Sequence, residues 1–135
     1  MADNSDTSLR DRIDAVEEAF EYMLAYANQG REEEDKSEDS GIRAFLSRAA
    51  DALDGVHETA ADAAAQLEPD QAIWQSYLAI LEEDAARART FILFTLAQPN
   101  LSSETVDNLN TTNHMRTVLT DLFLLDSAFQ SHQSG

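Results

Sequence analysis

The chain has no cysteine, two prolines and four glycines in 135 residues, and each shortage removes a class of function. Without cysteine there is no disulfide, thiolate nucleophile, Cys-type zinc site or iron–sulfur cluster. The glycines stand apart at Gly30, Gly41, Gly55 and Gly135, so no glycine-rich loop can cradle a phosphate. No serine lies in a Gly-x-Ser-x-Gly elbow. The longest unbroken apolar clusters, Phe91–Phe94 and Leu122–Leu125, fall far short of the ~20 residues of a membrane span. The N-terminal MADNSDTSLRDR lacks the apolar centre of a secretory signal. A cytoplasmic protein is expected.

Basic residues are scarce too. Nine Lys and Arg face 26 Asp and Glu, for a net charge of −17, and Lys36 is the only lysine. Such a charge repels phosphate backbones and anionic bilayers, so neither nucleic acid nor membrane is expected as a partner. Acidity is also a habit of salt-adapted proteomes, so by itself it names no target.

What is present is a globular share of apolar residues, 43%, laid out at helical spacing. A first helix is expected over about 8–29, capped by Ser8, with its stripe on Leu9, Ile13, Val16, Phe20, Leu24 and Ala27. The run 31–40 (REEEDKSEDS) has nothing to bury and reads as a mobile acidic loop; it lacks the ligand order of a calcium loop. A second helix over about 41–67 has an alanine-rich latter half, and Gly55 inside it marks a bend or a tight crossing. Glu68 closes that helix and Pro69 opens a third, over about 69–98, with Ile73, Trp74, Tyr77, Leu78, Leu81, Ala85, Ala88, Ile92 and Leu96 inward. A fourth, over about 102–130, is capped by Ser102 or Ser103. It is expected to kink within Asn108–His114, re-capped by Thr111 or Thr112. Residues 1–7 and 130–135 read as tails. The expected fold is all-α: one domain, a four-helix bundle with a kinked or broken last helix.

The chemistry of a reaction centre is missing from this pattern. A di-metal bundle needs two Glu-x-x-His pairs and two further inward glutamates. The nearest match is a single pair, Asp54 and His57, and no glutamate lies on the interior stripes. The serines sit at caps, loops and tails, and Glu82, Glu83 and Asp84 form a hydrophilic helical turn in which Glu83 pairs with Arg87. No catalytic residue, metal or cofactor is expected.

Apolar surplus points elsewhere. Around Phe91–Leu96 and Leu119–Leu125 the apolar residues wrap beyond one helix face, more than a small bundle can hide. Phe91, Phe94, Leu122 and Phe123 are therefore the expected partner-binding residues, with Tyr22 and Tyr26 as a second contact edge, and a homodimer is the expected assembly. The leading functional expectation is a non-enzymatic protein that binds another protein, as a regulator, adaptor or dedicated chaperone. The alternative is a neutralising acidic protein, a toxin immunity factor or nucleic-acid mimic; of its 26 acids, 17 precede residue 68. A ligand- or metal-binding bundle enzyme comes last.

Overall fold

Two residues with left-handed backbones, Gly55 at φ +74° and Asn113 at φ +69°, decide how many helices the chain makes. In the computed structural model, which describes the backbone of residues 4–35, 41–67 and 70–134 and the side chains within 8–35, 41–67 and 70–132, six α-helices form. They are α1 (Asn4–Ala27), α2 (Ile42–Leu53), α3 (Val56–Ala64), α4 (Gln71–Leu96), α5 (Ser103–Thr111) and α6 (His114–Ser134), with a short 3-10 turn at Ala65–Leu67 after α3. The protein is all-helical, and no strand occurs among the described residues. The count of six, against the four expected, comes from the two breaks. Glycine and asparagine are the residues that enter the left-handed region at least cost, and one such residue reverses the backbone enough to end a helix.

Each break is stitched by neighbours. At the end of α2 the Arg12 guanidinium, reaching from α1, donates to the carbonyls of Ala52 at 2.9 Å and Asp54 at 2.8 Å. Arg89 of α4 donates to Ala50 O at 3.1 Å. The carbonyls of Ala52 and Asp54, which a longer helix would have satisfied internally, thus gain a cationic donor, and Arg89 adds one to Ala50 O, which already accepts from Asp54 N; cations also suit the negative end of the helix. At the second break Thr112, as the sequence suggests, is the residue used: its hydroxyl donates to Leu109 O and accepts from the His114 amide. Thr111 bonds back to Asp107 O instead.

Helix α1 packs on α2, α3, α5 and α6, and α4 packs on the same four helices. The core between them holds Val16 and Met23, Leu46, Val56, Leu81 and Ile92, Leu101, Met115 and Leu122, all fully buried. Ala60, Ala63 and Ala64 are buried on α3, where small side chains let it lie against both α1 and α4.

Several boundaries and one stripe differ from expectation. Helix α1 begins at Asn4, which places Ser8 inside it, and α6 runs through Ser134 in place of a tail. Buried Phe129 and the His132 ring, 5.9 Å from that of Trp74, hold the last turns of α6 against α4. Helix α4 starts at Gln71 because Asp70 caps it, accepting from the amides of Ala72 and Ile73; Glu68 and Pro69 lie outside the described residues, as do residues 1–3. The inward stripe of α1 continues through Ala19, Met23 and Tyr26, while Phe20 is half-buried and Leu24 is 41% exposed. Steps of three and four from Val16 lead equally to either set. Packing on both the α2–α3 and α5–α6 sides selects the one that carries Tyr26 inward.

The acidic loop is the largest correction. Of 31–40, residues 36–40 lie outside the described residues, but 31–35 are tied to the chain between α4 and α5. Arg31 N donates to Ser103 Oγ, Ser103 N to Arg31 O, Glu34 N to Asn100 Oδ1 and Asn100 Nδ2 to Glu32 O, all within 3.1 Å. Glu34 is only 5% exposed at its side chain and accepts twice from Arg43, each time at 2.7 Å. That guanidinium also donates to the carbonyls of Leu96 and Gln98, closing the end of α4. Its pKa is raised, chiefly by the bond to Glu34. Sequence composition sees a run of charges; the structure uses one of them as a buried acceptor.

Candidate protein-binding face

Helix α4 is amphipathic in an unusual sense, with one apolar edge inside and a second outside. Leu81, Ala85, Ala88 and Ile92 are buried. Ile73, Ile80 and Phe94, spaced by seven with Arg87 between, are 63%, 53% and 70% exposed. Beside them Tyr77 is half-buried, and Phe91 is exposed at one side while its ring stacks on His114 with centroids 4.4 Å apart. Seven residues are nearly two helical turns, so this set forms one ridge along the helix.

Helix α6 supplies the facing wall. The Tyr77 hydroxyl donates to Asp121 O, Trp74 packs on Phe129 with centroids 5.5 Å apart, and Leu124 stands 61% exposed across the gap. Between them runs a groove of about 470 Å³ lined by Ile73, Trp74, Tyr77, Leu124, Ala128 and His132 among others. Exposed apolar residues are thus gathered on one side of a protein that is otherwise highly charged.

A carboxylate pair sits under the middle of this face. Asp121 Oδ2 is buried and finds no hydrogen-bond donor. Burial, then a hydrogen bond with Asp84 and the charge on that carboxylate, raise the Asp121 pKa to about 7. Neighbouring carboxyls do not both ionise readily, so Asp121 keeps its proton to higher pH than an ordinary aspartate. Burial, with Asp121 and Asp84 adding to it, pushes the Tyr77 phenol up to about 12, so it remains a donor. Arg87 lies 3.7 Å from Asp84, in place of the expected Glu83–Arg87 pair.

Of the six residues the sequence nominates, Phe91 and Phe94 belong to this face. Leu122 is fully buried in the chain's own core and offers nothing to a partner. Phe123 is 45% exposed but neighbours Leu122 and Leu124 in sequence and so points from another side of α6. Tyr22 is stacked on Phe45 at 4.2 Å between α1 and α2, and Tyr26 is buried with its hydroxyl donating to Leu101 O. The two tyrosines therefore hold helices together rather than forming an open edge. The sequence reading missed Ile73, which it placed inward, together with Ile80 and Leu124. The repeat of seven through Ile73, Ile80, Arg87 and Phe94 was the available signal.

A hollow of about 400 Å³ beside Tyr26, Glu34, Arg43 and Gln98 is the network that anchors 31–35. His57 Nε2 stands 3.4 Å from Glu82, and Asp54 faces Arg89 at 3.8 Å, so the Asp54–His57 pair is drawn apart to separate partners. Among the described residues no group of three or more His, Asp or Glu is placed to hold a metal ion, and no helix is long and apolar enough to cross a membrane. Comparison of the chain with protein-family models, with curated proteins and with solved structures gives no match.

Proposed function

We propose that this protein acts by binding protein rather than by catalysis, as a regulator, adaptor or dedicated chaperone, through the face formed by α4 and α6. The observation that carries this reading is the exposed ridge of Ile73, Ile80 and Phe94 opposite Leu124. These side chains contribute nothing to the chain's own core, and removing them from water favours association at about 25 cal/mol per Å². In this reading α2 with α3, and α5 with α6, are broken legs of a four-legged bundle whose α4–α6 side is left open. The test is affinity purification from the native host with wild type and Ile80→Glu side by side. A stoichiometric protein lost on the substitution supports the reading; equal recovery by both sinks it.

A neutralising role is the second reading, favoured by where the cations go. Arg12, Arg43 and Arg89 are engaged with main-chain carbonyls, and Arg10 with Asp126. The carboxylates of Asp11, Asp14, Glu18 and Glu21 on α1 stay exposed. A basic partner steered to that face would bind less tightly as salt is raised. Binding insensitive to neutralising those four acids would remove this alternative.

A further inference from the structure

Resting on the reading of the α4–α6 face as protein-binding, we propose that its occupant is a second copy of this chain, docked α4 against α4 in an antiparallel two-fold contact. The argument is the order of residues along the outer edge of α4. Tyr77, Ile80, Asp84, Arg87, Phe91 and Phe94 follow one another at steps of three, four, three, four and three. That spacing reads the same in both directions about a point between Ala85 and Ala86. The chemistry is matched as well: two apolar residues, an acid, a base, two apolar residues. Turning one helix end to end over the other sets Tyr77 on the partner's Phe94, Ile80 on the partner's Phe91, and Asp84 on the partner's Arg87, each twice by symmetry. An isologous contact requires self-complementarity; steps of three and four are common to every helix face, so the weight falls on the matched order of apolar, acidic and basic residues.

The residues differ in how open they are: the Asp84 side chain is 17% exposed and lies 3.7 Å from Arg87 of its own chain, so the partner's Arg87 meets only its outer edge. Ile80 and Phe94 are more than half exposed, and the Arg87 side chain is 58% exposed. Phe91 is held by its stack on His114 and Tyr77 by its bond to Asp121 O, so ordering them on association costs little. From Tyr77 to Phe94 the stripe is roughly 25 Å long at 1.5 Å per residue, enough for a contact of ordinary size once Leu124 and its neighbours on α6 join it. Charge is balanced where the helices meet. The remaining repulsion between two chains of −17 acts over distance and is screened beyond about 8 Å at physiological salt. Association therefore strengthens as salt rises, the opposite of a charge-steered complex.

Sedimentation equilibrium of the purified chain, at tens of micromolar and at low and high salt, is the first measurement, and a dimer favoured by salt is expected. Asp84→Lys and Arg87→Glu, each verified as helical by circular dichroism, bring like charges together in their own homodimers. Each is expected to raise the dimer Kd by about tenfold or more. The two variants mixed in equal amounts should dimerise with each other, because the introduced lysine then meets the introduced glutamate, and the retained Arg87 meets the retained Asp84. A wild-type monomer at both salts overturns the proposal, as do single variants that dimerise like wild type or a mixture that fails to recover. A wild-type monomer whose host partner is lost on Ile80→Glu would refute the second copy and leave the protein-binding reading in place.

Discussion

Arg43 holds Glu34 through two hydrogen bonds of 2.7 Å, nine residues apart in sequence and across the seam where α1, α2 and the α4–α5 connection meet. Glu34 Oε1 also accepts from Leu101 N at 2.9 Å. Removing the carboxylate takes one acceptor from a guanidinium that is 37% exposed and leaves the Leu101 amide unpaired, a cost of about 1–3 kcal/mol. Glu34→Ala is expected to lower the urea midpoint strongly, whereas Glu32→Ala and Glu33→Ala, on exposed side chains, stay within about 0.5 kcal/mol of wild type. If all three substitutions proved alike, the segment would be the solvated linker that its composition suggests.

That contrast locates the limit of what the residues reveal before folding. Helical class, the Ser102 cap, the disturbance at Gly55 and the break near Asn113 were legible because each is decided within a turn or two of chain. Glu34 was not, since its partners are Arg43 and the backbone near Leu101. Tyr26 failed for the same reason: an amphipathic pattern does not say that a hydroxyl will meet Leu101 O. The exposed apolar face was half legible. Phe91 and Phe94 stood out by apolar excess, but Leu122 and Leu124 differ by two positions, and only the packing of α6 shows which one is inside.

The Asp84–Asp121 pair gives stability a pH dependence with a defined sign. The Asp121 pKa rises from the ordinary 3.8 unfolded to about 7 folded. Between those values the folded state holds a proton that the unfolded chain has released, so this group's contribution falls as pH rises from about 4 to about 7 and is level above. Asp121→Asn supplies a permanent neutral donor. It is expected to stabilise the protein by about 1 kcal/mol at pH 8, after allowance for solvent screening, and by much less at pH 4. Urea titrations of both proteins across that range measure it, and a difference independent of pH would exclude a proton retained at Asp121.

The helix breaks predict opposite responses to glycine and alanine. Gly55 and Asn113 both hold φ near +70°, where a side chain costs about 1 kcal/mol. Gly55→Ala and Asn113→Ala should each destabilise by about that amount; a Cβ on Gly55 meets only Glu58 Oε1, at 3.5 Å, so strain rather than collision is the cause. Asn113→Gly removes the strain and should be neutral or slightly stabilising. Thermal denaturation of the three variants tests the set, and an Asn113→Gly variant less stable than Asn113→Ala would contradict it.

Two arginines two positions apart on α1 should differ sharply. Arg12 donates to Ala52 O and Asp54 O at the end of α2, whereas Arg10, 49% exposed at its side chain, pairs with Asp126. Replacing Arg12 by Met keeps the aliphatic stem and removes the donors, at about 1–2 kcal/mol for the uncapped carbonyls. Replacing Arg10 by Met removes an exposed ion pair worth at most about 1 kcal/mol. Hydrogen exchange at the amides of α2 would rise in the Arg12 variant alone; equal protection in both would mean that the break needs no cap.

Ile80 and Leu81 are adjacent, and the difference between them separates fold from function. Leu81 is fully buried between α4 and its neighbours, so Leu81→Ala opens a cavity and should cost about 2–5 kcal/mol. Ile80 is 53% exposed, and Ile80→Ala should change the stability of the isolated chain by less than about 0.5 kcal/mol. If the exposed ridge is an association surface, the loss at Ile80 appears instead when stability is measured against protein concentration. Wild type gains stability as concentration rises because association draws on the folded state, and Ile80→Ala gains less. Urea midpoints taken over a hundredfold span of concentration would show the wild-type curve climbing and the variant's nearly flat. Parallel curves would mean that Ile80 is an ordinary exposed isoleucine, and that the ridge on α4 serves neither a second copy nor the fold.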